Sequence, residues 1–139
     1  MIVIGIDPGT STGFAQYEDG KLTRMWTFKP LQAIAYLQMQ DEGLFVMEDS
    51  RLQSFIFDRN VNAASKLKIA RNVGAVDGLC NLYQDALGKN KLIKLSPLDK
   101  GAKVTLNSRF FEITGFNGRS NQHERDAAMV ALDFRNGVR

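Results

Sequence analysis

Four side chains in this 139-residue chain have the types and spacing to hold a hard cation. Asp7 ends the apolar run Ile2-Val3-Ile4-Gly5-Ile6, and Glu48 ends Leu44-Phe45-Val46-Met47. If the two runs are neighbouring parallel strands, both carboxylates sit at carboxyl ends about 5 Å apart across the ladder, the edge where open α/β sheets place their sites. Carboxylates that close repel each other unless a cation or a proton lies between them. His123 and Asp126 are three residues apart, which puts them on one face of a helix. Three carboxylates and one imidazole make an oxygen-rich donor set that suits Mg²⁺ or Mn²⁺. Two such ions about 3.5–4 Å apart activate a water and stabilise the leaving oxygen of a phosphodiester. Each residue also has a plainer reading. Asp7 before Pro8-Gly9 can simply start a turn, Glu48 can cap a strand, and a single helical histidine is usually surface or satisfied core.

The elements that would position these groups follow from local pattern. Residues 1–6 are a continuous β-branched run stopped by Asp7-Pro8-Gly9, which predicts a strand covered on both faces. Residues 12–18 and 21–28 flank Asp19-Gly20, a two-residue hairpin signal, so the chain opens as a three-stranded antiparallel meander. Pro30 starts a helix to about Asp41, followed by Gly43. A strand at 44–47 after that helix implies a parallel crossover back beside the first strand. Residues 61–88 predict a long helix with Ala64, Leu67, Ala70, Gly74, Gly78, Leu82 and Ala86 along one side. A third parallel strand at 91–95, a short helix around 103–113 and a last helix from about Asn121 to Arg135 complete a mixed α/β sheet with helices on both faces.

Length and composition set the bounds. A chain of 139 residues, 44% of them apolar, suits one domain spanning 1–139. Cys80 is the single cysteine, which excludes an internal disulfide framework and a multi-thiolate zinc site and fits a cytoplasmic setting. The apolar run near the N-terminus is too short for a membrane span or a signal-peptide core, so no membrane partner is expected. Charge is uneven. Residues 1–50 hold three Lys/Arg against seven Asp/Glu, and residues 51–139 hold fifteen against eight. The first part is −4 and the rest +7, a basic surplus compatible with a polyanionic partner.

Four separated motifs, in order over nearly the whole chain, resemble the RuvC family of Holliday-junction resolvases within the RNase H-like superfamily. Ile4-Gly5-Ile6-Asp7-Pro8-Gly9-Thr10 with Thr12-Gly13-Phe14-Ala15 is similar to its first-strand signature, and Val46-Met47-Glu48-Asp49 to its second acidic strand. Asn60, Ala63-Ala64-Ser65-Lys66-Leu67, Ala70-Arg71 and Gly74 look like the start of its long central helix. His123-Glu124-Arg125-Asp126-Ala127-Ala128 matches its last-helix motif in the version whose first ligand is histidine. The resemblance implies an RNase H-like mixed five-stranded sheet, three antiparallel strands then two parallel. It also implies Asp7, Glu48, His123 and Asp126 as catalytic residues and metal ligands, with two Mg²⁺ ions that Mn²⁺ can replace. Strand alternation sends Asp49 to the opposite face from Glu48. Lysines after the third parallel strand contact DNA near the scissile phosphate in this family. Lys103 stands at the matching distance before Asp126, with Lys100 as a second match.

The stretch Asp49 to Arg59 is longer than the family pattern. An aromatic side chain stacks on junction bases there in the family, which implies Phe55 or Phe57 in that role with Arg51 and Arg59 on phosphates. The alternative is that Phe55-Ile56-Phe57 packs as a lip against the long helix. The implied activity is Mg²⁺-dependent hydrolysis of branched DNA (four-way junctions, forks and flaps) by a homodimer, because a two-fold symmetric junction needs two active sites. Gly74 and Gly78 leave a bare strip that would admit a partner backbone or seat the helix on its own sheet. The compact length looks like phage-encoded members, which would work in a host cytoplasm. Two other readings stand beside this one. An RNA-processing RNase H-like nuclease has less well matched motifs. A nucleotide-binding module of the actin and sugar-kinase type needs two such domains to enclose ATP.

Overall fold

The N-terminal apolar run forms β1 (Ile2–Asp7), and its side chains alternate into two different cores. The computed structural model describes residues 1–52, 63–97 and 103–138, with side chains in the long helix described from Ala75 onward. Asp19 and Gly20 both adopt positive φ, 50° and 84°, as a type I′ hairpin turn requires. They join β2 (Thr12–Glu18) to β3 (Lys21–Phe28), and β2 lies antiparallel to β1 on its other side. Pro30 opens α1 (Pro30–Gln38), and the chain returns as β4 (Leu44–Glu48), parallel to β1. The long helix α2 (Ala63–Leu87) leads to β5 (Lys91–Leu95), parallel to β4. The sheet order is β3-β2-β1-β4-β5, the predicted mixed sheet with β1 at its centre. The C-terminal part forms α3 (Asn107–Thr114) and α4 (Gln122–Ala131), followed by a short 3₁₀ turn at Leu132–Phe134.

One sheet face packs Ile4, Ile6, Phe14, Phe45 and Met47 against α1 and α2 through Ala33, Leu37, Cys80, Tyr83 and Leu87. The other packs Val3, Ala15, Tyr17, Leu44 and Val46 against α4 through Ala127, Ala128, Val130 and Ala131. Two glycines make the second contact unusually close. A Cβ on Gly5 would overlap the Ala127 carbonyl oxygen, and one on Gly13 would overlap the His123 carbonyl oxygen. The bare backbone of β1 and β2 therefore lets α4 lie almost directly on the sheet. Tyr17 strengthens the seat by donating its buried hydroxyl to the Ala128 carbonyl at 2.7 Å. Burial pushes that phenol well above its ordinary pKa, so it remains a neutral donor.

Element limits differ from the sequence expectation in three places. α1 ends at Gln38 instead of near Asp41. Residues 103–106 are outside any helix, with Leu106 extended, and α3 begins only at Asn107, because the Val104 carbonyl is engaged by α4 and is unavailable to a helix. The buried face of α2 carries Cys80, Tyr83 and Leu87, whereas among the described residues Gly78 has no atom near its Cβ direction and Leu82 is 49% exposed. Among the described residues no helix is long and apolar enough to cross a membrane.

Candidate metal and nucleic-acid site

Asp7 and Glu48 come together through register. Ile6 pairs with Met47 across the β1–β4 ladder, so the next residue on each parallel strand places these carboxylates side by side at the carboxyl edge. Gly5 and Val46, two residues earlier, lie beneath α4, and the pleat sends Asp7 and Glu48 to that same face. Both are half-buried. Asp7 also pairs with Gly13 on β2, on which the His123 backbone rests, so the first turn of α4 sits beside Asp7.

The start of α4 is fixed by its own sequence. Asn121 caps it by accepting from the Glu124 N–H at 2.9 Å, and Glu124 returns the bond to the Asn121 N–H at 3.1 Å, a capping box. Thr27 on β3 ties this cap to the sheet: it accepts from Asn121 Nδ2 at 2.8 Å and donates to Glu124 Oε2 at 3.1 Å. Asp126 is 8% exposed, and its Oδ1 accepts from Gln122 Nε2 at 2.8 Å. The His123 side chain is exposed.

The expected four-residue cluster is only partly drawn together. Among the described residues no three His, Cys, Asp or Glu side chains are gathered closely enough to hold a metal ion. His123 lies exposed on the first helical turn, and Asp126 is held back along its own helix by Gln122. The donors themselves fit a hard divalent cation: two adjacent carboxylates on rigid strands, with a third on a helix pressed onto that same sheet face. No thiolate competes, since the Cys80 sulfur is buried on the opposite face.

Residues around this edge take several roles. The loop after Asp7 is braced by Thr12, which donates to the Gly9 carbonyl at 2.9 Å while Tyr83 of α2 bonds the Thr12 hydroxyl at 2.6 Å. With the Thr12 proton committed to Gly9, Tyr83 is the donor, and burial raises its pKa, which keeps it one. Asp49 is fully buried on the far face, as alternation requires. Arg51, expected on a phosphate, is partly exposed and hydrogen-bonded within the chain. Its Nε donates to Asp49 Oδ1 at 2.7 Å, Nη2 to Asp49 Oδ2 and to Gln84 Oε1 at 2.7 Å, and Nη1 to Asn81, so the guanidinium braces β4 to α2. Lys103 is exposed on the segment before α3 and shares with Arg109, Leu106 and Met129 a depression of about 350 Å³. Lys100, Phe55, Phe57 and Arg59 lie outside the described residues. The Gly5–Gly13 seat and the Gln122 and Tyr83 contacts are not foreseen by the motifs. The isolated glycines inside strand patterns were the available signal for close backbone approach.

This sheet order, the crossed faces and the acidic edge define a RuvC-like, RNase H-like α/β fold. Among solved structures the chain is similar to RuvC of Thermus thermophilus, with a TM-score of 0.59, 17% identity, and coverage of 96% of this chain and 93% of that one. No family model and no curated protein matches the sequence.

Proposed function

We propose that the chain is a divalent-metal-dependent endonuclease that cuts branched DNA, four-way junctions foremost, as a homodimer. The observation that supports this most is the in-register pair Asp7 and Glu48 at the carboxyl edge of a RuvC-like sheet, with the Asp126-bearing helix seated on that face by glycine contact. Asp7, Glu48 and Asp126 would hold Mg²⁺, with Mn²⁺ as a substitute. When bound, such ions supply Lewis-acid chemistry, activating a water and offsetting charge on the leaving 3′-oxygen. His123, exposed on the turn beside Asp7, would ligate such an ion or orient a water. Lys103 neutralises charge on the scissile phosphate from the neighbouring segment before α3. The basic surplus of residues 51–139 strengthens backbone binding without reading sequence.

The test is a cleavage panel of four-way junction, fork, flap, plain duplex and structured RNA at one fixed salt concentration, with Mg²⁺ and with Mn²⁺. The wild type cuts branched DNA and leaves the duplex. Asp7→Asn, Glu48→Gln and Asp126→Asn retain junction binding and lose about two to three orders of magnitude in cutting rate. Full cutting by these variants rejects the assigned site, and preferential cutting of RNA moves the substrate to the RNA-processing reading.

A further inference from the structure

Arg125 is a buried cation whose described partners are all neutral. Its Nε donates to the Val104 carbonyl at 3.2 Å, and Nη1 donates to the Ser120 carbonyl at 2.7 Å and to Ser120 Oγ and Asn107 Oδ1, each at 3.1 Å. Nη2 donates to Gln122 Oε1 at 3.3 Å. Burying a charge is unfavourable unless hydrogen bonds replace its water, and a residue needed only to fill this space would be apolar. The rigid fork of donors instead joins three segments: the chain at Val104, the start of α3 and the start of α4.

Gln122 completes the junction. Its Nε2 gives one hydrogen to the Val104 carbonyl at 3.0 Å and the other to Asp126 Oδ1 at 2.8 Å, while its Oε1 accepts from Arg125. Val104 is buried, and Lys103 immediately before it is exposed. A continuous hydrogen-bonded path therefore runs from the carbonyl of Val104, the residue after Lys103, through Gln122, to the carboxylate of Asp126.

We infer that Gln122 and Arg125 are positioning residues that lock the Lys103 segment to the carboxylate of Asp126, so that the phosphate-binding cation and the metal-binding carboxylate hold one fixed relation. The inference rests on the nuclease reading for what Lys103 and Asp126 do, but not for the lock itself. Gln122 sets the rotation of the Asp126 carboxylate, and Arg125 sets where Lys103 emerges. Loss of either should act on a different kinetic parameter.

The experiment compares wild type, Gln122→Met, Gln122→Asn and Arg125→Lys. It measures Mn²⁺ affinity of the protein alone by calorimetry, kcat and KM on a four-way junction, and thermal stability. Gln122→Met weakens Mn²⁺ binding and lowers kcat, each about tenfold, with KM unchanged, and excess metal restores kcat. Gln122→Asn, too short to bridge both acceptors, falls the same way to a smaller extent. Arg125→Lys raises KM several-fold with a smaller change in Mn²⁺ affinity, because the charge remains and the fork is lost. A variant that was merely less stable would lower activity without this split and would not recover with added metal. Wild-type Mn²⁺ affinity, kcat and KM in folded Gln122 variants and in Arg125→Lys overturn the inference. If the wild type binds Mn²⁺ tenfold tighter than Gln122→Met yet cuts no branched DNA, the nuclease reading fails while the lock on Asp126 stands.

Discussion

Glu48 and Asp49 are consecutive carboxylates that strand alternation sends to opposite faces of the sheet, and their surroundings separate their chemistry. Glu48 stands half-buried at the acidic edge, whereas Asp49 is fully buried against α2 with Arg51. Burial alone would raise the Asp49 carboxyl, but hydrogen bonds from the Arg51 side chain and backbone, together with its charge, hold it below the usual carboxylate range. A lowered folded-state pKa gives stability that is fully present above the unfolded value, about pH 3.9, and is lost as pH falls through the window below it. Chemical denaturation followed from neutral pH into that acid window checks this: wild type loses stability there, and Asp49→Asn shows a flatter acid limb. Equal slopes would mean that Asp49 carries no linkage. Arg51→Met strands a buried carboxylate and costs about 3 kcal/mol at neutral pH, more than the double variant with Asp49→Asn predicts by addition.

The element that matters most to the site is α4, and what places it is the absence of two side chains. Gly13→Ala drives a methyl group into the His123 carbonyl beside Asp7, and Gly5→Ala drives one into Ala127 farther along the helix. Overpacking of this kind costs about 1–3 kcal/mol in either case. The two should differ in function. Gly13→Ala lifts the end of α4 that bears His123 and Asp126, and it lowers metal-dependent cutting at least about tenfold more than Gly5→Ala at matched stability. Urea denaturation and cleavage rates measured on the same preparations check this, and equal rates would show that the seat positions nothing. Little of this seat is legible from the sequence, although the elements are. Asp19-Gly20 and the runs ending at Asp7 and Glu48 are local signals, and the hairpin and the parallel pair appear where those signals put them. Gly5 against Ala127, Tyr83 on Thr12 and Gln122 on Val104 join residues far apart in the chain, and although a glycine inside a strand signals close approach, no local pattern encodes which partner is met. The small-residue stripe of α2 has mixed surroundings among the described residues: Gly78 and Leu82 are exposed, Ala86 packs against the core, and the fully buried side is carried by Cys80, Tyr83 and Leu87.

At the scale of the whole molecule, the proposed activity assigns one cut strand to the acidic edge of each chain, and a four-way junction presents two symmetric strands to be cut. A C₂ pair of chains is the simplest arrangement that matches that symmetry. The outer face of α2 offers a contact of the right kind. Ala75, Gly78 and Leu82 recur there at helical spacing, all three exposed, with open space beyond Gly78 among the described residues. A bare glycine beside a leucine lets a second helix approach closely and bury apolar surface on both sides. Gly78→Gln blocks that approach without altering charge, so attraction to DNA is preserved. It also replaces a glycine inside a helix by a better helix former, which favours the isolated fold by a few tenths of a kcal/mol or more. The expected result is a shift from dimer to monomer in sedimentation equilibrium with the melting temperature retained. Junction cleavage would then pass from paired cuts within one encounter to single, uncoupled nicks. A wild type that sediments as a monomer at micromolar concentration and still makes paired cuts would remove the dimer from the proposal. A Gly78→Gln variant that remains dimeric would move the interface away from this face of α2.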